Sequence, residues 1–132
     1  MQKISVVVCA KNEEDRIKDC LNSIQKNNID EIILVDGNST DNTSKIANQY
    51  ECKVILSKSG SLTADRQIGI DNTRNNYVAM IDADHILNKN DIIGPIKTNK
   101  GYHVFKILKT NGPSSGSYTG LFVCANLARV QT

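Results

Sequence analysis

Two aspartates one residue apart are the residues of this sequence best suited to chemistry. Asp82 and Asp84 end the apolar run 77–81, which has the composition of a buried strand. Side chains at positions i and i+2 of a strand point to the same side, so both carboxylates can face one ligand. Two neighbouring acids repel each other unless a cation lies between them, and Mg²⁺ and Mn²⁺ combine such oxygen ligands with substrate phosphates. The pair therefore predicts metal-assisted phosphate chemistry.

The segments before this pair alternate between strand-like and helix-like patterns. Strands are predicted at 4–9, 31–35, 53–56 and 77–81. Repeated β-α units with short connections predict an α/β, Rossmann-like fold with a mostly parallel central sheet flanked by helices. The carboxyl ends of parallel strands share one edge of the sheet, which is where ligands bind in such folds.

The predicted helices begin at recognisable signals. Asn12 is predicted to cap the first helix, and the acids at 13–15 complement the positive end of its dipole. The second helix is predicted to run through Ala47 to about residue 50. The third is predicted through 64–70, after a loop rich in Ser and Gly at 57–61.

The pattern weakens after the acid pair. The predicted elements there are a short helix at 91–97 disturbed by Pro95, a strand at 102–108, a mobile loop at 110–117 and another strand at 118–124. Neither an internal repeat nor a second domain is indicated, so residues 1–132 are interpreted as one domain.

Composition excludes several classes of protein. The 16 basic and 14 acidic residues give a net charge of +2, and no basic run carries interleaved aromatic residues, so nucleic-acid binding has little support. The four cysteines lie far apart and are interpreted as small core residues rather than as a zinc site or disulfide framework. Without a signal peptide or a membrane-spanning segment, the expected location is the cytoplasm, with the inner face of the membrane left open as a workplace.

Polar clusters follow three of the predicted strands, at 11–13, 36–41 and 82–85. The first crossover has no Gly-x-Gly-x-x-Gly, and the sequence has no Gly-x-x-x-x-Gly-Lys-Ser/Thr. A nicotinamide, flavin or ordinary NTPase function therefore loses its main support. A diphosphate here must be held by a metal and by side chains.

The ordered segments 4–14, 33–43, 64–69 and 82–84 resemble the signatures of family 2 glycosyltransferases with the GT-A fold. The resemblance covers roughly residues 3 to 88. It implies that residues 1–88 form the nucleotide-sugar-binding part of the domain and that 89–132 begin the acceptor-side part.

The resemblance also implies roles for individual residues. The implied donor-binding positions are Asp36 at the nucleotide base, Ala10 and Glu13 along the nucleoside pocket, Arg66 toward the nucleotide, and Asp82 near the ribose and donor sugar. Asp84 is implied as the more direct metal ligand, with Asp82 beside it. The ion, Mn²⁺ or Mg²⁺, bridges the donor diphosphate and neutralises charge that develops on the leaving group.

The implied reaction is transfer of a sugar from a UDP- or GDP-sugar to a hydroxyl of a glycan, lipid or other acceptor. The family mostly inverts the anomeric centre, with a general base taking the proton of the acceptor hydroxyl. No residue of this sequence is identified as that base.

Three positions depart from the family pattern. Cys9 stands where Pro is frequent, Asp65 where a small Ala is common, and Gln67 where Asn is common. We expect Asp65 to pair with the adjacent Arg66 and to weaken its attraction for phosphate.

Each candidate residue also has a plain structural interpretation. Asp36 with Ser39 can form an Asx-type turn, Glu13 can be a first-turn helix acid, and Arg66 can be a solvated side chain. His85, beside the acid pair, is more often an ordinary loop residue than a third metal ligand.

Two other functions remain open from the residues alone. An apolar strand that ends in Asp-x-Asp also resembles phosphatases of the haloacid dehalogenase type, in which Asp82 would be the nucleophile and Asp84 the general acid. That family carries the motif on its first strand, whereas here it closes the fourth. The second alternative is a non-catalytic module or fragment that binds a nucleotide sugar.

Overall fold

The computed structural model describes residues 3–75 and 77–89 in full and, beyond them, the backbone of five short strands. In chain order, the elements are β1 (Ile4–Ala10), α1 (Ile17–Gln25), β2 (Glu31–Asp36), α2 (Thr43–Ala47), β3 (Lys53–Leu56), α3 (Leu62–Asp71), β4 (Tyr77–Asp82), β5 (Ile86–Leu87), β6 (Ile92–Lys97), β7 (His103–Ile107), β8 (Thr110–Asn111), β9 (Gly120–Leu121) and β10 (Cys124–Ala125). None of the helices in this described part is long and apolar enough to cross a bilayer.

The central sheet has five strands in the order β10-β4-β1-β2-β3. β1 pairs in parallel with both β2 and β4, β2 pairs in parallel with β3, and β10 is antiparallel to β4. β1 and β2 are buried along nearly their whole length, which explains their continuous β-branched composition. The predicted mostly parallel α/β sheet is confirmed.

The core lies on both faces of this sheet. On one face, α1 packs the side chains of Ile17, Leu21 and Ile24 against the strands, and on the other face α3 packs against a smaller cluster around Val7 and Val35. A Cβ atom at position 69 would lie 2.3 Å from Cγ1 of Val7, so Gly69 is what lets α3 approach β1. Alternate residues of each buried strand thus serve two different helices.

Two predictions about helices are wrong. Asn12 does not cap α1: its φ is +53°, the helix begins at Ile17, and the side-chain oxygen of Asn12 accepts a hydrogen bond from the N–H of Thr40 at 2.8 Å instead. Asn12 therefore bonds to a residue 28 positions further along the chain instead of capping the helix that follows it.

Residues 92–97 form a strand and not the short helix predicted at 91–97. β6 is an outer strand of the sheet β6-β7-β9, where Pro95 is tolerated because an edge position need not donate a ladder hydrogen bond. The register with β7 shifts between Ile93 and Ile96, around the Gly-Pro pair.

The remaining predictions after Asp84 are partly testable. β7 confirms the strand predicted at 102–108, whereas the loop predicted at 110–117 begins with the short strand β8. β9 and the start of β10 fall within the strand predicted at 118–124. The other residues of the last two segments lie outside the described residues.

Candidate functional site

The carboxyl ends of four parallel strands meet at one edge of the sheet. In the pairing register, Ala10 lies beside Asp36, Cys9 beside Asp82, and Asp36 beside Leu56. From β1 the chain adds β2 and β3 on one side of the sheet and then places β4 on the other side of β1. The order of strands therefore reverses between β1 and β4. In open α/β sheets the crevice at such a reversal is the place where ligands bind.

Asp82, Asp84 and His85 form a compact group at the end of β4. Nδ1 of His85 lies 2.8 Å from Oδ1 of Asp84 and 4.0 Å from Oδ2 of Asp82. The N–H of His85 donates to the carbonyl of Asp82 at 3.1 Å, which closes a tight turn. The imidazole is buried, while 58% of the Asp82 side chain is exposed.

This group fits a divalent cation. One ligand atom from each of the three residues can be chosen so that all lie within 4.8 Å of one another. In an octahedral shell with a radius of about 2.1 Å, neighbouring ligands lie about 3.0 Å apart and opposite ligands about 4.2 Å apart, so the three side chains would move closer together to share one ion. Two carboxylates with an imidazole suit Mn²⁺, which accepts nitrogen ligands more readily than Mg²⁺ does.

Two arginines flank the carboxylates. A guanidinium nitrogen of Arg66 lies 3.5 Å from Oδ1 of Asp82, and one of Arg16 lies 4.0 Å from Oδ2 of Asp84 and 3.9 Å from Oε2 of Glu13. The side chains of Arg66 and Asp82 are 43% and 58% exposed, so this ion pair contributes little stability. The expected pairing of Asp65 with Arg66 is wrong, because Arg66 pairs with Asp82 and Asp65 accepts hydrogen bonds from serines.

Asp36 is held in a fixed orientation at the end of β2, where only 3% of its surface is exposed. Its Oδ1 accepts hydrogen bonds from the N–H of Ser39 at 3.0 Å and from the hydroxyl of Ser39 at 2.6 Å. The same hydroxyl accepts the N–H of Asn12 at 2.8 Å. The turn weighed as a plain structural role for Asp36 is therefore present, and it orients the carboxylate at the strand edge.

A second set of contacts joins the loop after β1 to the loop after β2. The N–H of Glu13 donates to Oγ1 of Thr43 at 2.9 Å, the N–H of Glu14 donates to Oδ2 of Asp41 at 3.2 Å, and the N–H of Asn42 donates to Oε2 of Glu14 at 3.0 Å. Although desolvation acts in the opposite direction, the hydrogen bonds from Thr43 and Glu14 lower the pKa of Asp41. The two loops are therefore fixed against each other.

The surroundings of the site shift the pKa of several groups. Desolvation, followed by repulsion from Asp84, raises the pKa of Glu13, with Arg16 opposing the shift. Burial, reinforced by nearby acids, raises the pKa of Cys9 to about 11 and that of Cys20 to about 12. Cys20 lies in the core and Cys9 packs against it from a partly buried position, which agrees with their interpretation as core residues.

The structure brings the residues predicted for the site to a single edge of the sheet. Ala10 ends β1 and Glu13 follows it, while Asp36 ends β2. Arg66 lies on α3, Asp82 ends β4, and Asp84 follows two residues later. The sequence interpretation missed Arg16, although its position three residues after Glu13 is a signal for a contact on one helical turn. It also left His85 as a loop residue, and the proximity of its ring to both acids emerges only in three dimensions.

Comparisons with known proteins agree with this arrangement. The sequence profile described as Glycosyl transferase family 2 matches residues 5–113. An uncharacterized glycosyltransferase of Rickettsia felis is 39% identical over 89 residues, which cover 67% of this chain and 31% of that protein. The chain thus spans about a third of that relative's length.

Solved structures of two glycosyltransferases share the fold. TarS of Staphylococcus aureus in complex with UDP-GlcNAc aligns with a TM-score of 0.62 and 31% identity, over 67% of this chain and 28% of that one. Glucosyl-3-phosphoglycerate synthase of Mycobacterium tuberculosis, in complex with Mn²⁺, UDP-glucose and phosphoglyceric acid, aligns with a TM-score of 0.60 and 27% identity, over 67% and 36%. The predicted GT-A fold is confirmed by these likenesses, and the chain belongs to glycosyl transferase family 2.

Proposed function

We propose that this chain binds the nucleoside diphosphate portion of a UDP-sugar at the carboxyl edge of its sheet, with a divalent metal, as part of an inverting glycosyltransferase. The observation that carries the proposal is the convergence of Asp36, Arg66 and the Asp82-Asp84-His85 group at one edge of the sheet. UDP is preferred to GDP because the solved relatives are complexes with UDP, UDP-GlcNAc or UDP-glucose.

The nucleoside end is assigned to the ends of β1 and β2. Asp36 is buried and oriented by Ser39, so it can accept an N–H of the base without first losing conformational freedom. Ala10 is small and buried beside it in the register, and Glu13 follows in the next loop. These three residues line the proposed nucleoside pocket.

The diphosphate end is assigned to Arg66 and the acid group. The Arg66 pair with Asp82 is loose and partly exposed, so the guanidinium is available to a phosphate. Asp84 and Asp82 are the proposed metal ligands, with Mn²⁺ as the preferred ion because His85 adds a nitrogen donor. When bound, the metal neutralises charge that develops on the leaving diphosphate.

The division of the chain follows from this assignment. Residues 1–88 form the proposed nucleotide-sugar-binding part, and residues 89–132 begin the part that faces the acceptor. The proposed acceptor is a glycan, a lipid or another compound with a hydroxyl group. None of the described residues is assigned as the general base. Family membership excludes the haloacid dehalogenase alternative.

Calorimetric titration with UDP and GDP, with and without Mn²⁺, tests the proposal on the wild-type protein and on Asp84→Ala. We expect UDP to bind more tightly with Mn²⁺ and the substitution to remove that gain. Asp19→Ala, which removes an exposed acid of α1, is the control and should bind as the wild type does. UDP binding that is absent, or indifferent to Mn²⁺ and to Asp84, would contradict the metal-assisted site.

Transfer itself needs a separate assay. Release of UDP from UDP-glucose or UDP-GlcNAc on addition of an acceptor distinguishes an enzyme from a binding module. The anomeric configuration of the product, read by NMR, then distinguishes inverting from retaining transfer. A protein that binds UDP normally but transfers no sugar to any acceptor would be the module.

A further inference from the structure

We propose that Asp65 is a positioning residue of the nucleotide site and acts through the 57–61 loop, which joins β3 to α3. The inference rests on the proposed function, since this loop borders the strand ends assigned to the nucleotide. Asp65 lies in the first turn of α3 with only 7% of its surface exposed. Because a buried carboxylate is costly without hydrogen-bond donors, its contacts indicate what it holds in place.

One carboxylate oxygen of Asp65 binds two serines of the 57–61 loop and so holds the loop against α3. Oδ1 of Asp65 accepts hydrogen bonds from the hydroxyl of Ser57 and, at 2.6 Å, from the hydroxyl of Ser59. Oγ of Ser57 also accepts the N–H of Ser59 at 3.2 Å, and the N–H of Asp65 donates to the carbonyl of Ser61 at 2.9 Å. These contacts fix both ends of the loop relative to α3.

The other side of Asp65 faces the loop after β2. A Cβ atom at position 37 would lie 3.2 Å from Oδ2 of Asp65, so this oxygen is next to Gly37. The N–H of Ser57 donates to the carbonyl of Asp36 at 2.7 Å. Asp65 therefore binds Ser57 at the end of β3 and lies next to the loop after β2, where the base is assigned.

The next residue along the helix is Arg66, whose guanidinium lies 3.5 Å from Asp82. Asp65 thus stands between the base side of the site, at Asp36, and the phosphate side, at Arg66. Fixing these two sides before the nucleotide arrives reduces the conformational entropy lost on binding. Loss of the Asp65 contacts should weaken nucleotide binding through the loop and not through a direct contact.

The inference requires the hydrogen-bond acceptor and not the negative charge. Asp65→Asn keeps a carbonyl oxygen that can accept both serine hydroxyls, whereas Asp65→Ala removes it. Recovery by the asparagine variant therefore separates a positioning role from a charge effect. Asp71→Ala, which removes an exposed carboxylate from the same helix, is the matched control.

Three measurements on the wild-type protein and these variants test the inference: the rate of tryptic cleavage after the exposed Lys58, the Kd for UDP with Mn²⁺, and the melting temperature. We expect Asp65→Ala to speed cleavage and to weaken UDP binding, each by at least about tenfold, because it removes the acceptor of two serine hydroxyls and one hydrogen bond to a charged group is worth roughly that factor. Asp65→Asn should stay within about threefold of the wild type in both, and Asp71→Ala should not differ from it. Ser59→Ala removes one exposed donor, so it keeps the test available if Asp65→Ala does not fold, and it should also speed cleavage after Lys58.

The outcomes separate this inference from the proposed function. Normal UDP affinity in Asp65→Ala would overturn the inference alone. An asparagine variant that loses as much affinity as the alanine variant, in step with its melting temperature, would also overturn it, because the residue would then be merely structural. A wild-type protein that binds no UDP would overturn the proposed function and this inference with it.

Discussion

Nδ1 of the buried His85 lies 2.8 Å from Oδ1 of the half-buried Asp84, just after the end of β4. The contact joins one acid of the proposed metal site to a buried ring, so under the proposed function the imidazole would either ligate the ion or orient Asp84 toward it. In both cases we expect His85 to affect metal binding.

The first prediction concerns the identity of the metal. Because an imidazole nitrogen favours Mn²⁺ over Mg²⁺, His85→Ala should lower the affinity for Mn²⁺ by about tenfold and lower that for Mg²⁺ less. Electron paramagnetic resonance of free Mn²⁺, with Mg²⁺ as competitor, measures both affinities. Asn88→Ala, at an exposed position shortly after β5, is the control. An equal loss for the two ions would show that His85 is not selective.

The second prediction concerns the orientation of Asp36. Ser39→Ala removes the hydroxyl that donates to Asp36 and accepts the N–H of Asn12, while the backbone N–H of residue 39 remains. The free energy of unfolding should fall by about 1 kcal/mol, and UDP should bind less tightly. Urea denaturation and calorimetry measure the two effects, with Ser44→Ala on α2 as the control. Unchanged UDP binding in a destabilised variant would assign Ser39 to the fold alone.

The third prediction concerns stability at alkaline pH. Burial raises the pKa of the Cys20 thiol from 9.0 to about 12, so the folded chain holds this proton more tightly than the unfolded chain does. This contribution to stability is fully present below about pH 9 and is lost as the pH rises toward 12, at up to about 1.4 kcal/mol per pH unit. Urea denaturation from pH 8 to 11 should show the decline. The slope should be smaller in Cys20→Ala, and an unchanged slope would assign the decline to other groups.

The fourth prediction concerns the packing of α3 on the sheet. Gly69→Ala places a Cβ atom 2.3 Å from Cγ1 of Val7, so the helix has to move, and the free energy of unfolding should fall by about 1 to 3 kcal/mol. Gly60→Ala is the comparison, because its Cβ would contact nothing within 4 Å and only its φ of +71° opposes the change. Thermal denaturation should rank Gly69→Ala as the less stable. The opposite order would mean that α3 shifts at little cost.

The positions of the strands, and of the polar residues at their ends, could be predicted from the sequence for a physical reason. β1, β2 and β4 are buried along most of their length, so each appears as a largely apolar run, and the polar residues begin where burial ends. The same rule fails after Asp84. The segment from Ile92 to Lys97 contains a proline, so its sequence suggests a disturbed helix. Pairing with β7 is what makes this segment a strand.

The sequence by itself determined the α/β class, the edge of the sheet that carries the polar residues, and the acid pair of which Asp82 ends β4 and Asp84 follows it. Only the tertiary structure decided which side chains meet there. Asn12 accepts a hydrogen bond from Thr40 instead of capping α1, and Arg66 pairs with Asp82 instead of its neighbour Asp65. Asp65 accepts hydrogen bonds from serines of the 57–61 loop. Burial patterns follow from local composition, whereas these partners are separated by 6 to 28 residues, so pairing them requires the folded chain.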